Sequence, residues 1–407
     1  MKVDIQSLGT FSQLAREGSH QAADSLSQLT GIDIYVDVTN ITLLSKADLR
    51  ESFADEEFVG VQIGFEGQFE GETVLVFHRD NIGALLDYLL PGSASDDGID
   101  DVAKSGVKEV GNIMMSGFID GWADHLGTAI DMTPPSYVER TGTDVLPTQA
   151  LADEVEEIFL FESRLETLDR DVEFYIYMFP EYGAMTELMA LHRESEDEGI
   201  PVDKLSVFNR MTKLGAKGAA ENITAMTGVE TDVDVSRLSF VPIEDAPNHV
   251  GDDRFAGVVI GFEGTPSGYL LILFDEASAR NVAETMLPVE PSSEGLSEME
   301  QSAIEELGNI MTSGFIDGWA NVLQTSIDHT PPQFVHDMGS AIVSPVVGRL
   351  GQTQDFAFMI DSTVRTASER FRCELYALPD ERELTRALET LDVDRTDQTR
   401  VDADQFF

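Results

Sequence analysis

The chain contains the same long segment twice, at a separation of 197 residues. The stretch at 60–67 recurs with one change at 257–264, and from Glu109 to Val138 the two copies share 21 of 30 residues without a gap. A period of this length exceeds the roughly 20 to 50 residues of solenoid repeats. The sequence therefore predicts two homologous domains that follow one another along the chain.

We predict domains at 1–198 and 199–395, followed by an acidic C-terminal tail at 396–407. The boundary is placed in the charged run 194–201, which ends in Gly and Pro and is typical of a linker. Each copy alternates helical patterns with groups of neighbouring strand patterns. This order predicts an α+β fold with an antiparallel sheet and two long helices in each domain.

The elements predicted for copy one follow from apolar periodicity and from Gly and Pro positions. They are a helix that ends at Gly31, strands with buried residues at 61–65 and 73–77, a short helix at 82–90, a helix at about 103–128, a Thr-Pro-Pro turn, a strand at 172–178 and a last helix near 184–192. Trp122 and Trp319 are expected to pack the helix at 103–128, and its counterpart, onto the domain core.

The composition indicates a folded protein with a very acidic surface. The net charge is −49, yet 42% of the residues are hydrophobic, which is ample for packed cores. Such a surface is used by halophilic proteins for solubility. Nucleic acids and anionic membranes are disfavoured as partners, because phosphate binding needs clustered Lys and Arg.

Three features of the sequence bear on the cellular compartment, and they agree with one another. Cys373 is a single cysteine, so no disulfide can form within the chain. The N-terminal residues lack the apolar run of a secretory signal. The most apolar stretch, 269–274, is too short to cross a bilayer and predicts a buried strand. We therefore expect a cytoplasmic protein.

The most conspicuous repeated pattern places Ser105, Glu109 and Asn112 on one stripe of the helix at 103–128, with Pro135 after it. An asparagine amide can hold a water molecule by donating one hydrogen bond and accepting another. That suffices for in-line attack on an activated substrate such as an acyl phosphate, as a glutamine does in small GTPases. The glutamate could do acid–base work or grip a cation on a partner. The matching residues of copy two are Ser302, Glu306, Asn309 and Pro332.

Two further expectations concern the surroundings of this stripe. Gly111 and Gly117 flank it, and we expect these small residues to let another surface approach the Asn amide. Pro135 stiffens the loop that follows and could form one wall of a shallow cleft. The alternative is that Glu and Asn lie on an ordinary solvated helix face, which is common for residues three apart.

Other catalytic patterns are absent from the sequence. There is no phosphate-binding glycine loop that ends in Lys-Ser/Thr, no His-Glu-x-x-His and no Cys-x-x-Cys. His329 and His336 are the nearest pair of histidines, and a surface role is expected for both. No metal site is predicted.

Both copies of the pattern resemble the signature of the CheC/CheX/FliY phosphatases of chemotaxis, Asp/Ser-x3-Glu-x2-Asn-x22-Pro. The resemblance implies two CheC-like domains that remove the aspartyl phosphate of a CheY-type response regulator. It implies that Asn112 and Asn309 orient the water and that Glu109 and Glu306 contact a receiver lysine. Members of the family bind no cofactor of their own, since the Mg²⁺ lies in the receiver, and CheD is the usual second partner.

The chain departs from this family at the first helix of each copy, where a second Glu/Asn pair is expected. With Ala22-Ala23 aligned to Ala219-Ala220, those positions hold Gln13 and Arg16 in copy one and Arg210 and Lys213 in copy two. We therefore expect one live site per domain. The departure leaves open a second interpretation, in which the chain is a non-catalytic adaptor that joins chemotaxis or motility proteins.

Overall fold

A computed structural model describes residues 2–3, 5–53, 57–67, 69–79, 83, 86, 99–147, 157–167, 172–181, 183–185, 200–287, 295–366 and 372–391. Internal contacts divide the chain into two units. Domain 1 is Asp4–Glu198, and domain 2 is Gly199–Phe407 together with Met1–Val3. Strand β1 (Lys2–Val3) pairs antiparallel with β9 (Ile200–Pro201) and so belongs to domain 2.

Domain 1 is built on an antiparallel sheet. Its described elements are helices α1 (Ile5–Thr30), α2 (Lys46–Ser52) and α3 (Asp101–Leu126), and strands β2 (Ile34–Ser45), β3 (Glu57–Gly67), β4 (Gly71–His78), β5 (Ile130–Met132), β6 (Ser136–Thr141), β7 (Glu157–Thr167) and β8 (Glu173–Pro180). The strands are ordered β2-β7-β8-β4-β3, and both β5 and β6 pair with the outer side of β3.

Domain 2 repeats this sheet. Its described elements are helices α4 (Val202–Thr227), α5 (Ala246–Val250), α6 (Glu276–Met286), α7 (Glu298–Leu323), α8 (Gly339–Leu350) and α9 (Glu381–Thr390), and strands β10 (Thr231–Pro242), β11 (Arg254–Gly264), β12 (Gly268–Asp275), β13 (Ile327–His329), β14 (Gln333–Met338), β15 (Phe356–Thr366) and β16 (Arg372–Pro379). The order β10-β15-β16-β12-β11, with β13 and β14 on β11, matches that of domain 1. The predicted α+β fold with antiparallel sheets is confirmed.

The two long helices of each domain lie on one face of the sheet. In domain 1, Gly18 of α1 faces Phe118 of α3, and Gln21 faces Gly117, so the helices run antiparallel. Trp122 is fully buried and stacks on Phe69 at 5.1 Å between ring centroids. Its counterpart Trp319 is also fully buried. The prediction that the tryptophans pack these helices onto the core is confirmed.

Short helices cover the opposite face of each sheet and were not predicted. On β4, Val74 and Val76 point away from α3, because side chains alternate along a strand, and they share a core with Leu49 of α2. In domain 2, Leu271 and Leu273 share the matching core with α5 and α8. Each sheet is therefore buried on both faces.

Most predicted element positions agree with the described ones. Helix α1 ends before Gly31, which has a φ of 72°, and the helix predicted at 103–128 is α3, Asp101–Leu126. The predicted strands correspond to β3, β4 and β8. Residues 83, 86, 184 and 185 are helical, as predicted, and the rest of the helices predicted at 82–90 and 184–192 lies outside the described residues. Most of the 194–201 linker and the 396–407 tail also lie outside them.

Two observations bear on the compartment signals. Cys373 is buried in β16, and burial raises the pKa of its thiol well above the ordinary value, so the group is a neutral thiol at physiological pH. None of the described helices combines the length and the apolar character that crossing a membrane requires.

Candidate functional site

The helices that carry the repeated pattern begin at equivalent residues. The Asp100 side chain accepts a hydrogen bond from the Ala103 N–H at 2.8 Å and caps α3. Ser297 caps α7 at the matching position and forms a capping box with Glu300. Because a cap satisfies N–H groups that the helix leaves unbonded, it fixes the helix start. The stripe residues therefore lie the same number of residues after the helix start in both domains.

The stripe of α3 faces outward. Ser105 and Glu109 are exposed and Asn112 is half-buried, and Ser302, Glu306 and Asn309 have the same exposures on α7. The Ser105 hydroxyl donates to the Asp101 carbonyl at 2.9 Å. The other side of α3 is anchored in the core by Val107, Val110, Met114 and Phe118.

The Thr-Pro-Pro turn is tied to the sheet by its threonine. In domain 1, the Thr133 N–H donates to the Gly64 carbonyl at 2.9 Å, and the Gly64 N–H donates to the Thr133 hydroxyl oxygen at 2.8 Å. Thr330 and Gly261 make the same pair at 2.8 and 3.0 Å. These threonines hold Pro135 and Pro332 beside the motif helices. Sequence reasoning overlooked them, although both copies contain the same Thr and Gly.

Domain 2 has an open cleft of about 400 Å³ at its motif helix. Ser302, Glu306, Asn309 and Pro332 all line it. The remaining lining residues are Glu305, His329 and Pro331. The four residues that the pattern singled out in copy two are thus brought together around one space. In domain 1 the matching residues occupy the same positions on α3 and after β5.

His329 also lines this cleft, although the sequence predicted only a surface role for it. Its Nε2 lies 3.3 Å from the Ser313 hydroxyl, and its Nδ1 lies 3.2 Å from the Thr330 carbonyl oxygen. Domain 1 has Met132 at the matching place in the sheet. A comparison of the copies for differences near the motif would have found this position.

Glu305 is a second residue that sequence reasoning missed. One of its carboxylate oxygens accepts a hydrogen bond from the Phe334 N–H at 3.3 Å, which joins α7 to the strand after the prolines. Lys108 occupies the matching position in domain 1. The two motif sites therefore share their signature residues and differ immediately beside them.

The expectation for Gly111 and Gly117 was wrong. A Cβ atom on Gly111 would lie 2.6 Å from Val61, and one on Gly117 would lie 2.8 Å from the Gln21 carbonyl oxygen. Both glycines therefore face the domain's own sheet and first helix. They let α3 pack closely against its own domain. They do not open the Asn amide to the surface of a partner.

The first-helix positions are on the surface or close to it. Gln13 and Arg16 on α1 and Arg210 on α4 are exposed, and Lys213 is half-buried. Their predicted inactivity stays a prediction.

Metal-ligating groups do not cluster in the part of the chain that the structure describes. No set of three or more His, Cys, Asp or Glu residues there is placed to hold a metal ion. The expectation that the protein has no cofactor of its own stays a prediction.

Comparison with known proteins identifies the family. The family model described as CheC-like matches residues 102–139 and 299–336. A protein described as a candidate CheY-P phosphatase, CheC1, of Halobacterium salinarum is 39% identical over 182 residues, which are 44% of this chain and 92% of that protein. The chain belongs to the CheC-like family. Each family-model match in this CheC-like chain runs from the motif helix to the strand after the prolines, so each contains one full signature.

More distant relatives are similar to about half of the CheC-like chain. The CheY-P phosphatase CheC of Bacillus subtilis is 19% identical over 189 residues, which are 45% of this chain and 90% of that protein. The crystal structure of Thermotoga maritima FliY is 20% identical, with a TM-score of 0.39, and covers 46% of this chain and 98% of that one.

Proposed function

We propose that this CheC-like chain is a phosphatase that hydrolyses the aspartyl phosphate of a CheY-type response regulator and so terminates a chemotaxis signal. The observation that carries the proposal is the cleft of domain 2, where Ser302, Glu306, Asn309 and Pro332 meet. A relative that is 39% identical is described as a candidate phosphatase of this kind.

Asn309, and Asn112 in domain 1, would position the attacking water. A carboxamide has no useful pKa, so it cannot remove the proton. Its oxygen accepts from the water and its NH₂ group donates to it, which fixes the direction of attack. Since an acyl phosphate is already activated, alignment of the water supplies much of the required acceleration.

Glu109 and Glu306 would hold the receiver. Both are exposed on the outer face of a rigid helix, so a cation on a docked protein can reach them. A charge-assisted hydrogen bond from a lysine fits this position. The receiver would also bring the Mg²⁺ that neutralises the phosphoryl charge, and this chain would bind no metal itself.

The remaining signature residues would support this arrangement. Pro135 and Pro332 lack an N–H and present an apolar wall beside the asparagine. The hydroxyls of Ser105 and Ser302 lie one turn before the glutamates. We place the reaction in the cytoplasm of a halophilic cell and propose CheD as a second partner.

The deciding experiment measures phosphate release from a phosphorylated CheY-type receiver. We expect wild type to shorten the lifetime of the phosphoryl group. Asn112→Ala combined with Asn309→Ala should remove the acceleration, a loss of about a hundredfold or more, while binding is kept. Asn321→Ala changes an exposed asparagine on the same helix and is the matched control.

The same experiment tests the adaptor interpretation. The cationic residues at the first-helix positions, Arg16 and Lys213, favour it, because they stand where the family pattern suggests a second Glu/Asn pair. An adaptor would bind the receiver and leave the phosphoryl lifetime unchanged. If the double variant were as fast as wild type, the site assignment itself would be wrong.

A further inference from the structure

Each domain has a three-residue ion network next to its motif helix, and the two networks have opposite polarity. In domain 1, Arg79 lies between two carboxylates. Its Nε is 3.4 Å from Glu57, and its guanidinium donates to Glu139. The Arg79 contact, with a contribution from Lys104, lowers the pKa of Glu139 below the ordinary value.

In domain 2 a carboxylate lies between two basic groups. Glu276 is 3.6 Å from Arg254 Nε and 3.0 Å from His336 Nε2. At an offset of 197, Arg254 matches Glu57, Glu276 matches Arg79 and His336 matches Glu139. Each acidic position has become basic and the basic position acidic, while the contacts persist.

The motif helices also differ in charge, but in the opposite direction. The network of domain 2 is the more positive of the two networks, whereas its motif helix is the more negative of the two helices. Lys104 of α3 lies over the Tyr137 ring, 5.7 Å from its centroid, and Lys108 is one turn further along. No ion pair joins Lys108 to another described residue, so its charge is available to a partner. The matching residues of α7 are Gln301 and Glu305, which carry no positive charge.

We propose that Lys108 and Glu305 are specificity-determining residues, which make the two motif sites prefer partner surfaces of opposite charge. This proposal rests on the proposed phosphatase function, because the partner is the receiver docked on Asn112 or Asn309. The site of domain 1 suits a receiver with a carboxylate beside its phosphoaspartate. The site of domain 2 suits a receiver with a basic side chain there.

The placement of these two residues supports the proposal. Lys108 is four residues before Asn112, and Glu305 is four residues before Asn309. Residues at this spacing lie on the same side of a helix, with Cβ atoms about 6 Å apart. A receiver whose phosphoryl group reaches the asparagine therefore also meets the lysine or the glutamate.

Contact at this range matters more than long-range attraction in a chain of net charge −49. In about 1 M salt, charges more than roughly 3 Å apart are largely screened. The general acidity of the protein then adds little to the choice of partner. Direct pairs with Lys108 or Glu305 keep more of their strength, and a like charge facing either residue weakens docking.

Single asparagine variants of the full chain confine turnover to one site: Asn309→Ala leaves turnover in domain 1, and Asn112→Ala leaves it in domain 2. Because each variant keeps binding at the other site, Kd is compared with that of the same variant without the charge reversal. Lys108→Glu is added to the first variant and Glu305→Lys to the second. The probe is one CheY-type receiver, phosphorylated with acetyl phosphate for turnover or activated with beryllofluoride for binding, at two salt concentrations.

With one receiver, the two reversals should act in opposite directions. We expect KM and Kd to rise about fivefold for one reversal and to fall by a similar factor for the other, with kcat within about twofold. Glu305→Gln keeps an acceptor for the Phe334 N–H and should give an intermediate value. Lys46→Glu makes the same charge change on α2, at the opposite face of the sheet, and should have no effect.

The inference is overturned if both reversals leave KM and Kd within about twofold, or if both move them in the same direction. If the chain is not a phosphatase, the result is different. In that case the Asn309→Ala and Asn112→Ala backgrounds fail to release phosphate, while the beryllofluoride-activated receiver still reports on the charge preference. Thermal unfolding of each variant verifies that it is folded.

Discussion

Gly111 of α3 lies so close to Val61 of β3 that a Cβ atom on the glycine would be 2.6 Å from the valine side chain. Gly308 and Val258 repeat this contact in domain 2, at 2.4 Å. The absence of a side chain lets the motif helix rest directly on the sheet. Since the next residue is Asn112 or Asn309, this contact fixes the height of the asparagine above the sheet.

Gly111→Ala and Gly308→Ala should each destabilise their domain by about 1–3 kcal/mol, because the added methyl group overpacks a close contact. Urea unfolding measures the loss. Gly348→Ala, where a Cβ meets nothing within 4 Å, is the control and should be neutral or stabilising. Equal effects at positions 111 and 348 would contradict the packing account.

Gln324 ends α7 in a left-handed conformation, with a φ of 52°, where domain 1 has Gly127 at a φ of 60°. Glycine adopts this conformation without the steric cost that a Cβ brings. We expect Gln324→Gly to stabilise domain 2 by about 0.5–1 kcal/mol and Gly127→Gln to destabilise domain 1 by a similar amount. Thermal unfolding of the two variants checks the pair. The same sign for both would show that some other interaction of Gln324 dominates.

The cationic side chains of the first helices should be dispensable for hydrolysis. Arg16→Ala combined with Lys213→Ala removes the cations that stand where the family pattern suggests an asparagine. Phosphate release should stay within about twofold of wild type, since neither side chain lies on the motif helices. The measurement uses the same phosphorylated receiver as the Asn112 and Asn309 variants. A loss of about tenfold or more would mean that the first helix takes part in the reaction.

Glu374 should make the stability of domain 2 depend on pH. It accepts a hydrogen bond from Thr363 at 2.9 Å and lies 2.8 Å from Arg372 Nε, yet burial raises the pKa of its carboxyl above the ordinary value. Below the unfolded-state pKa both states hold the proton, and the free energy of unfolding is unaffected. As pH rises through the raised pKa, the folded state must hold a buried carboxylate and loses stability.

Glu374→Gln should therefore unfold at the same temperature as wild type near pH 4 and at a higher temperature near pH 7. The gain should be on the order of 1 kcal/mol, after the lost pairing with exposed Arg372 is taken into account. Thermal unfolding from pH 4 to pH 8 measures it. Glu230→Gln removes a charge from an exposed position and serves as the control. A gain in unfolding temperature at pH 4 that vanished at pH 7 would contradict the raised pKa of Glu374.

The long elements of the fold were predictable because they are periodic over many residues. Helix α3 was predicted within two residues at each end, and the alternation at 61–65 gave the buried face of β3. The helices on the opposite face of each sheet were not predictable. Helix α2 has too few residues to show a period, and α8 contains Pro345, which ordinarily indicates a break.

Part of the site was predictable for the same reason. Helical spacing alone placed Glu306 and Asn309 on one stripe, and they line one cleft. Gly111 was placed on the wrong face, because glycine has no side chain to indicate burial. Glu305 and His329 were not predicted at the site, because the pattern consists of residues that are identical in the two copies and both of these positions differ.

The reversed ion networks restrict which segments the two halves of the gene can exchange. Transfer of β6 alone into domain 2 would put Glu139 in place of His336, and a second carboxylate would then face Glu276. Transfer of the motif helix moves no member of either network. Recombination between the halves can therefore keep the motif helices alike, while the strands around them must change as a set.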